Sequence, residues 1–342
     1  MRSNNSLNRT ALNWACAGAL TLLALASWPT ARAAENTQAK PPGAIPVILD
    51  TDIGDDIDDT WALGLLLKSP ELDLKLAVGD HGKVIYRAQL LAKFLETAGR
   101  GDIPVGLGLD VNASGTGPQA SWVRDYRLNS YKGRLYPDGV QAMIDIIMAS
   151  PEPVTLIAIG PLPNVREALR REPRIAQKAR FVGMHGSVRV GYGGGKTIAA
   201  EYNVQQDAKA CRDALSAAWP VTITPLDTCG LVDLEGGLYQ RVAQSKDPIA
   251  SAIIENYRLW SQAQAKPGQP APPPAKSSIL FDTVAVFLAF NSQWLTLEDL
   301  PIRVTDDGMT RIDPAAKPLR VATQWTNLDA YRQFLTDRLA GK

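Results

Sequence analysis

The sequence predicts an α/β protein with a Rossmann-like, mostly parallel central sheet and helices on both faces. Three observations lead there. From residue 45 to about 226, short runs rich in Val, Ile and Leu alternate with stretches whose apolar residues recur at helical spacing. The runs are apolar almost throughout, which suits strands buried on both faces. With 342 residues, 45% of them apolar, the chain can bury a sizeable core as one large domain or two smaller ones.

The elements follow in order. IPVILD (45–50) reads as the first strand, followed by a helix over WALGLLLKS. LDLKLAV (72–78) and the helix VIYRAQLLAKFLETAG come next, then the strand IPVGLG (103–108) and the helix DGVQAMIDIIMAS. VTLIAIG (154–160), NVREALRR, ARFVGM (179–184), VQQDAKACRDALSAA and VTITPL (221–226) complete the alternation. SAIIENYRLW and SILFDTVAVFLAF are helix-like and flank residues 263–278, where proline and polar residues predict a mobile loop serving as linker or lid. The tail predicts a hairpin about Asp307–Gly308, another strand and an amphipathic helix from near Asn327.

Residues 1–33 read as a secretory signal: Arg2 and Arg9, an apolar stretch from Ala11 to about Trp28, and a small-residue cleavage site at Ala31-Arg32-Ala33. The stretch is shorter than a membrane anchor and is interrupted by Asn13 and Pro29. The expectation is a secreted or periplasmic protein with a flexible segment at 34–44. Without residues 1–33, 33 basic residues face 35 acidic ones, a charge of about −2. That balance gives no support for nucleic-acid binding or for membrane association after signal removal, and points to small-molecule partners. Cys211 and Cys229 are the mature cysteines; a disulfide and two buried thiols explain them equally well.

Six aspartates, Asp50, Asp52, Asp55, Asp56, Asp58 and Asp59, lie within ten residues between the first strand and its helix. Like charges about 4 Å apart repel by roughly 4 kcal/mol at an effective dielectric near 20, so such a cluster calls for a cation. Carboxylates crowd the segment while the chain has two histidines, which favours calcium or magnesium over zinc. Helix capping accounts for one or two of the six, and an EF-hand fails because its twelfth position would be Trp61. A strand-end Asp-x-Asp of a haloacid-dehalogenase-like Mg²⁺ phosphatase, with Asp306-Asp307 as second acidic site, stays open, as does a non-catalytic nucleoside- or sugar-binding protein.

DTDIGDDIDDTWAL resembles the N-terminal signature of the inosine-uridine-preferring nucleoside hydrolases. AVGD (77–80), IPVGLG, IGPLPN (159–164), AEYNVQQDAKA (200–210) and FDTVAV (281–286) resemble that family's later motifs in order. The resemblance implies one nucleoside hydrolase-like domain over 45–342, able to form a homodimer or homotetramer. It implies Ca²⁺ held by Asp52, Asp59, the Pro163 carbonyl and Asp282. Asp52 would be the catalytic base on a cation-activated water that cleaves the N-glycosidic bond of a ribonucleoside to base and ribose. Asp58, Asp80, Glu201 and Asn203 would bind the substrate. A glutamate buried in an apolar stretch would otherwise be costly, which also favours a functional Glu201.

Besides Pro163 for the family's threonine and Asp80 for its asparagine, the chain departs from the pattern in three places. Two extra residues follow Gly54, and counting back from Ala62-Leu63 assigns the paired aspartates to Asp58 and Asp59, leaving Asp55 and Asp56 as loop residues. Phe281 stands where many relatives carry the histidine that protonates the leaving base. Leaving-group activation would then fall to stacking by Trp122, Tyr126, Tyr192, Tyr257 or Trp260, or to a proton from His185 or His81. Gly195 replaces a sugar-binding asparagine, with Lys196 as its possible substitute.

Overall fold

The computed structural model describes residues 43–111, 115–265 and 274–341. The signal segment 1–33, residues 34–42 of the expected flexible segment and residues 266–273 of the expected Pro-rich loop lie outside the described residues. None of the described helices is long and apolar enough to cross a membrane.

Among the described residues, ten strands form one sheet: β1 (Ile45–Thr51), β2 (Leu72–Gly79), β3 (Val105–Gly106), β4 (Leu135–Tyr136), β5 (Val154–Ala158), β6 (Ala179–Met184), β7 (Val221–Thr224), β8 (Leu295–Val304), β9 (Thr310–Ile312) and β10 (Pro318–Trp325). Their order is β4-β3-β2-β1-β5-β6-β7-β10-β8-β9, parallel from β4 through β10 and antiparallel at the two junctions of β8. The chain walks outward from β1 through β2, β3 and β4, then returns to the other side of β1 for β5. The ends of β1 and β5 therefore lie at the switch point where open α/β sheets collect ligands.

Strand alternation sends Val47, Leu49, Ile157 and Val182 into one core and Ile48, Leu156, Phe181 and Ile223 into the other. The first core is covered by α1 (Asp58–Leu67), α2 (Val84–Thr97), α3 (Ala120–Val123), α8 (Gly236–Ala243), α9 (Pro248–Ala263), α10 (Phe281–Leu288) and α11 (Leu328–Ala340). The second is covered by α4 (Gly139–Ala149), α5 (Pro163–Arg171) and α7 (Ala208–Ser216), with the short α6 (Tyr202–Gln206) just before α7. Each fully buried Leu or Ile contributes about 1.5–3 kcal/mol of transfer free energy to this arrangement.

Local chemistry explains the differences from the expected elements. Only two residues of IPVGLG join the ladder, because Pro104 has no N–H to donate and a Cβ at Gly108 would come within 1.9 Å of the Gly79 carbonyl as the chain turns inward. The single helix expected over 204–218 breaks at Asp207, whose carboxylate caps the Ala210 N–H at 2.8 Å instead of extending α6. Cys211 and Cys229 are free and sit in the two separate cores, so the disulfide alternative does not form.

Candidate functional site

The loop after β1 carries the acidic cluster across the switch point. Gly54 sits at φ +108°, and a Cβ there would lie 2.5 Å from the Tyr86 ring, so the turn requires glycine. Asp58 and Asp59 occupy the first turn of α1, where the helix dipole favours negative charge. The Thr51 hydroxyl donates to Asp59 and accepts the Ile53 N–H at 3.1 Å. Asp58 Oδ2 accepts the Asp282 N–H at 3.2 Å, which ties α1 to the first turn of α10. Asp282 is therefore inside its helix and caps nothing.

Asp58, Asp59 and Asp282 each offer a carboxylate oxygen within 4.8 Å of the others, and all three are buried. Burial first, then repulsion from neighbouring aspartates of the cluster, pushes all three carboxyls well above the usual range. Burial likewise raises Asp52, to about 6, against the pull of the Arg87 guanidinium. Among the described residues no basic side chain lines this cavity, so a hard divalent cation is the group that fits the donor set. The end of β5 comes close to Asp52 because residue 160 is glycine; a Cβ there would sit 3.0 Å from the Asp52 N and Oδ1.

A cavity of about 420 Å³ opens beside these carboxylates, within the roughly 300–1,000 Å³ range of small-molecule sites. It brings together Asp52, Asp58, Asp59, Glu201, Asn203 and Asp282 from three distant stretches of chain. Glu201 also has a structural task. Its Oε1 accepts the Asn203 N–H at 2.8 Å and its Oε2 those of Gly186 at 3.0 Å and Val204 at 3.3 Å, so its burial is met by backbone donors and does not by itself demand a function. Burial still raises it to about 7. The Asn203 amide donates to the Ile159 and Met184 carbonyls, both at 3.2 Å, which fixes it across the ends of β5 and β6.

Two expected site residues do not reach the cavity wall. Pro163 is the buried first residue of α5 and borders a separate groove beside Arg166; a carbonyl at that position belongs to the first helical turn. Asp80 is fully buried behind Asp50 and Asp52, outside the lining, with neither oxygen in a well-formed hydrogen bond. Asp50 supports the strand end: it accepts the Asn164 amide at 2.8 Å, and Asn164 also holds the Gly79 carbonyl and the Leu109 N–H.

The two extra loop residues acquire roles. Asp55 pairs with Lys83 and with Arg87 at 2.8 Å, and its carbonyl accepts the Trp260 indole N–H at 3.1 Å; burial would raise its carboxyl, but the two cations hold it below the usual range. Asp56 is the exposed carboxylate of the lining. Arg87 is what sequence reading missed. Its buried guanidinium donates to the carbonyls of Asp52, Ile53, His81 and Gly82. The available signal was an arginine three and four residues before Leu90 and Leu91, on the apolar face of α2.

Of the candidates for leaving-group activation, Tyr192 and Trp260 line the cavity, together with Phe281 and Tyr202. Trp122 and Tyr126 line another groove, and Tyr257 stands behind Trp260, stacked at 6.0 Å. His185 is fully buried against the Gly160 carbonyl at 3.1 Å and His81 is buried off the lining, so neither delivers a proton to this space. Gly195 and Lys196 are exposed and outside the lining. Asp306 pairs with Arg212 on the surface and Asp307 sits in the β8–β9 turn, so the second acidic site of a phosphatase does not assemble here.

A doubly wound sheet with a buried carboxylate site at its switch point defines a class of α/β enzyme that works on small molecules with a metal ion. Comparison with known proteins places the chain within that class. The sequence model of the inosine-uridine preferring nucleoside hydrolases matches residues 47–338, and the chain belongs to that family. It is accordingly a hydrolase of ribonucleoside N-glycosyl bonds, in a metal-dependent family. A pyrimidine-specific ribonucleoside hydrolase of Enterobacter sp. (strain 638) is 30% identical over 231 residues, 62% of this chain and 69% of that protein. A solved plant nucleoside hydrolase superposes with a TM-score of 0.73 at 20% identity, over 88% of this chain and all of the other. A purine-preferring ribonucleoside hydrolase from Gardnerella vaginalis gives 0.68 at 21% identity, over 86% of this chain and 98% of the other.

Proposed function

We propose that the protein is a calcium-dependent ribonucleoside hydrolase, exported by its N-terminal signal, that splits a nucleoside into free base and ribose. The carrying observation is the convergence of Asp52, Asp58, Asp59, Glu201, Asn203 and Asp282 on one cavity, with three of the carboxylates close enough to share one cation. Oxygen donors alone and several of them favour Ca²⁺, which accepts six to eight oxygens in flexible geometry. Asp59 and Asp282 would hold it, joined by Asp52 as the family resemblance implies; Asp58, the third carboxylate of the close trio, is near enough to share it. When bound, the cation would lower the pKa of a water and grip vicinal sugar hydroxyls.

Asp52 would take the proton of the attacking water as general base. Asp58 and Glu201 would accept hydrogen bonds from ribose hydroxyls, with Asn203 orienting the sugar. As the glycosidic bond lengthens, positive charge grows on the ribosyl ring, and the surrounding carboxylates would stabilise it more than the neutral ground state. The test is reducing-sugar release from inosine, uridine, adenosine, guanosine and cytidine with and without chelator. Release from at least one, lost on chelation and restored by Ca²⁺, is expected; no release from any would refute the proposal, and tight nucleoside binding without product would identify a binding protein.

A further inference from the structure

The reading of the cavity as a ribonucleoside site leaves open which bases it can release, and the inference below rests on that reading. A neutral base leaves as an anion unless something protonates it. Among the described residues, the cavity wall holds no histidine, and apart from the carboxyls nothing on it is suited to that task. Both histidines lie off the wall and Phe281 has no proton to give. The phenols of Tyr192 and Tyr202 are pushed up to about 12 by burial, far from the pKa near operating pH that makes an effective acid, and the Tyr192 oxygen already accepts the Tyr202 N–H at 2.9 Å. Glu201 has both oxygens engaged by backbone donors.

The wall is instead rich in negative charge and π faces. Among the described residues, seven carboxylates line it and no Lys, Arg or His does. Pairing of Asp55 with Lys83 and Arg87, and one divalent cation, offset only part of that charge. Four aromatic rings share the wall: Tyr192 meets Phe281 edge to face at 6.3 Å, Trp260 is fixed by the Asp55 carbonyl, and Tyr202 is 44% exposed. Rings backed by carboxylates attract a cation more strongly than a neutral heterocycle, by roughly 2- to 30-fold for a single cation–π contact.

We propose that this cavity prefers ribonucleosides whose base is already a cation, such as a pyridinium, over neutral nucleosides. The chemistry balances without an acid. The C1′–N bond breaks, its electron pair cancels the positive charge on the base nitrogen, and the base departs neutral. Water oxygen forms the new bond to C1′, and its proton passes to Asp52 and then to solvent.

The test compares nicotinamide riboside with inosine and uridine by ribose release from the Ca²⁺-loaded protein. A kcat/KM more than tenfold higher for nicotinamide riboside is expected, and Phe281→His should narrow that ratio at least tenfold by raising turnover of inosine. Calorimetry with Asp52→Asn adds a readout independent of turnover: nicotinamide riboside should bind at least threefold tighter than its reduced, uncharged form. Neutral nucleosides cleaved within tenfold of nicotinamide riboside, or equal affinity for the charged and uncharged forms, would overturn the preference while leaving the hydrolase reading intact. Cleavage of none of the three would overturn both.

Discussion

Replacing Arg87 by methionine keeps much of the side chain's volume and removes its charge from the centre of the site. In the native protein the guanidinium is fully buried and holds four backbone carbonyls, those of Asp52, Ile53, His81 and Gly82, plus the Asp55 carboxylate. Each buried carbonyl left without a donor costs about 1–3 kcal/mol, so four give an upper bound near 12 kcal/mol. Relaxation reduces that figure. His81 and Lys83 sit at φ +54° and +49°, conformations costing about 1–3 kcal/mol each that persist only while the surroundings enforce them. Freed from Arg87, this loop can relax and recover part of the loss. The expected net destabilisation is about 4 kcal/mol, in the range for breaking a buried ion pair. Urea unfolding of chelated wild type and Arg87→Met at one pH measures it directly. A difference below about 1 kcal/mol would refute the assignment of Arg87 as the residue that organises the loop.

Three further outcomes follow from the same geometry. Asp282→Asn should weaken Ca²⁺ binding while leaving the fold intact; at a concentration 100 times the wild-type Kd, calcium should stabilise wild type by about 2.7 kcal/mol and the variant by much less, read as a shift in urea midpoint. Burial holds the His185 imidazole down to about 4 from its usual 6.5, so below pH 6.5 the unfolded chain takes up a proton that the folded chain refuses. Wild type should therefore lose roughly 3 kcal/mol relative to His185→Gln between pH 7 and pH 4, and a pH-independent gap would contradict the burial argument. Asn164→Ala removes three hydrogen bonds that join β1, β2 and the loop after β3, and should cost about 2–4 kcal/mol by thermal unfolding.

The alternation of apolar runs and helical periods made the parallel sheet legible, and the motif order made most of the cavity wall legible. Long-range geometry was not. Where the Pro163 carbonyl lies relative to the site, at the first turn of α5, depends on where β5 ends, which nothing local announces. Glu201 was legible as a buried acid, yet its three N–H partners come from the backbone of residues 186, 203 and 204, and the first of these is visible only once β6 lies beside β5. Arg87 looked like an ordinary helical arginine because three of its partners, Asp52, Ile53 and Asp55, lie more than thirty residues upstream. The β4 strand is too short for any period to announce it.

The central claim is that Asp52 accepts the proton of the attacking water within a cation-dependent nucleoside site. Ribose release by Asp52→Ala, measured beside wild type with saturating Ca²⁺ and the best nucleoside substrate, tests it most directly. Turnover should fall by at least about a hundredfold, the usual contribution of a positioned base. Turnover equal to wild type would contradict it.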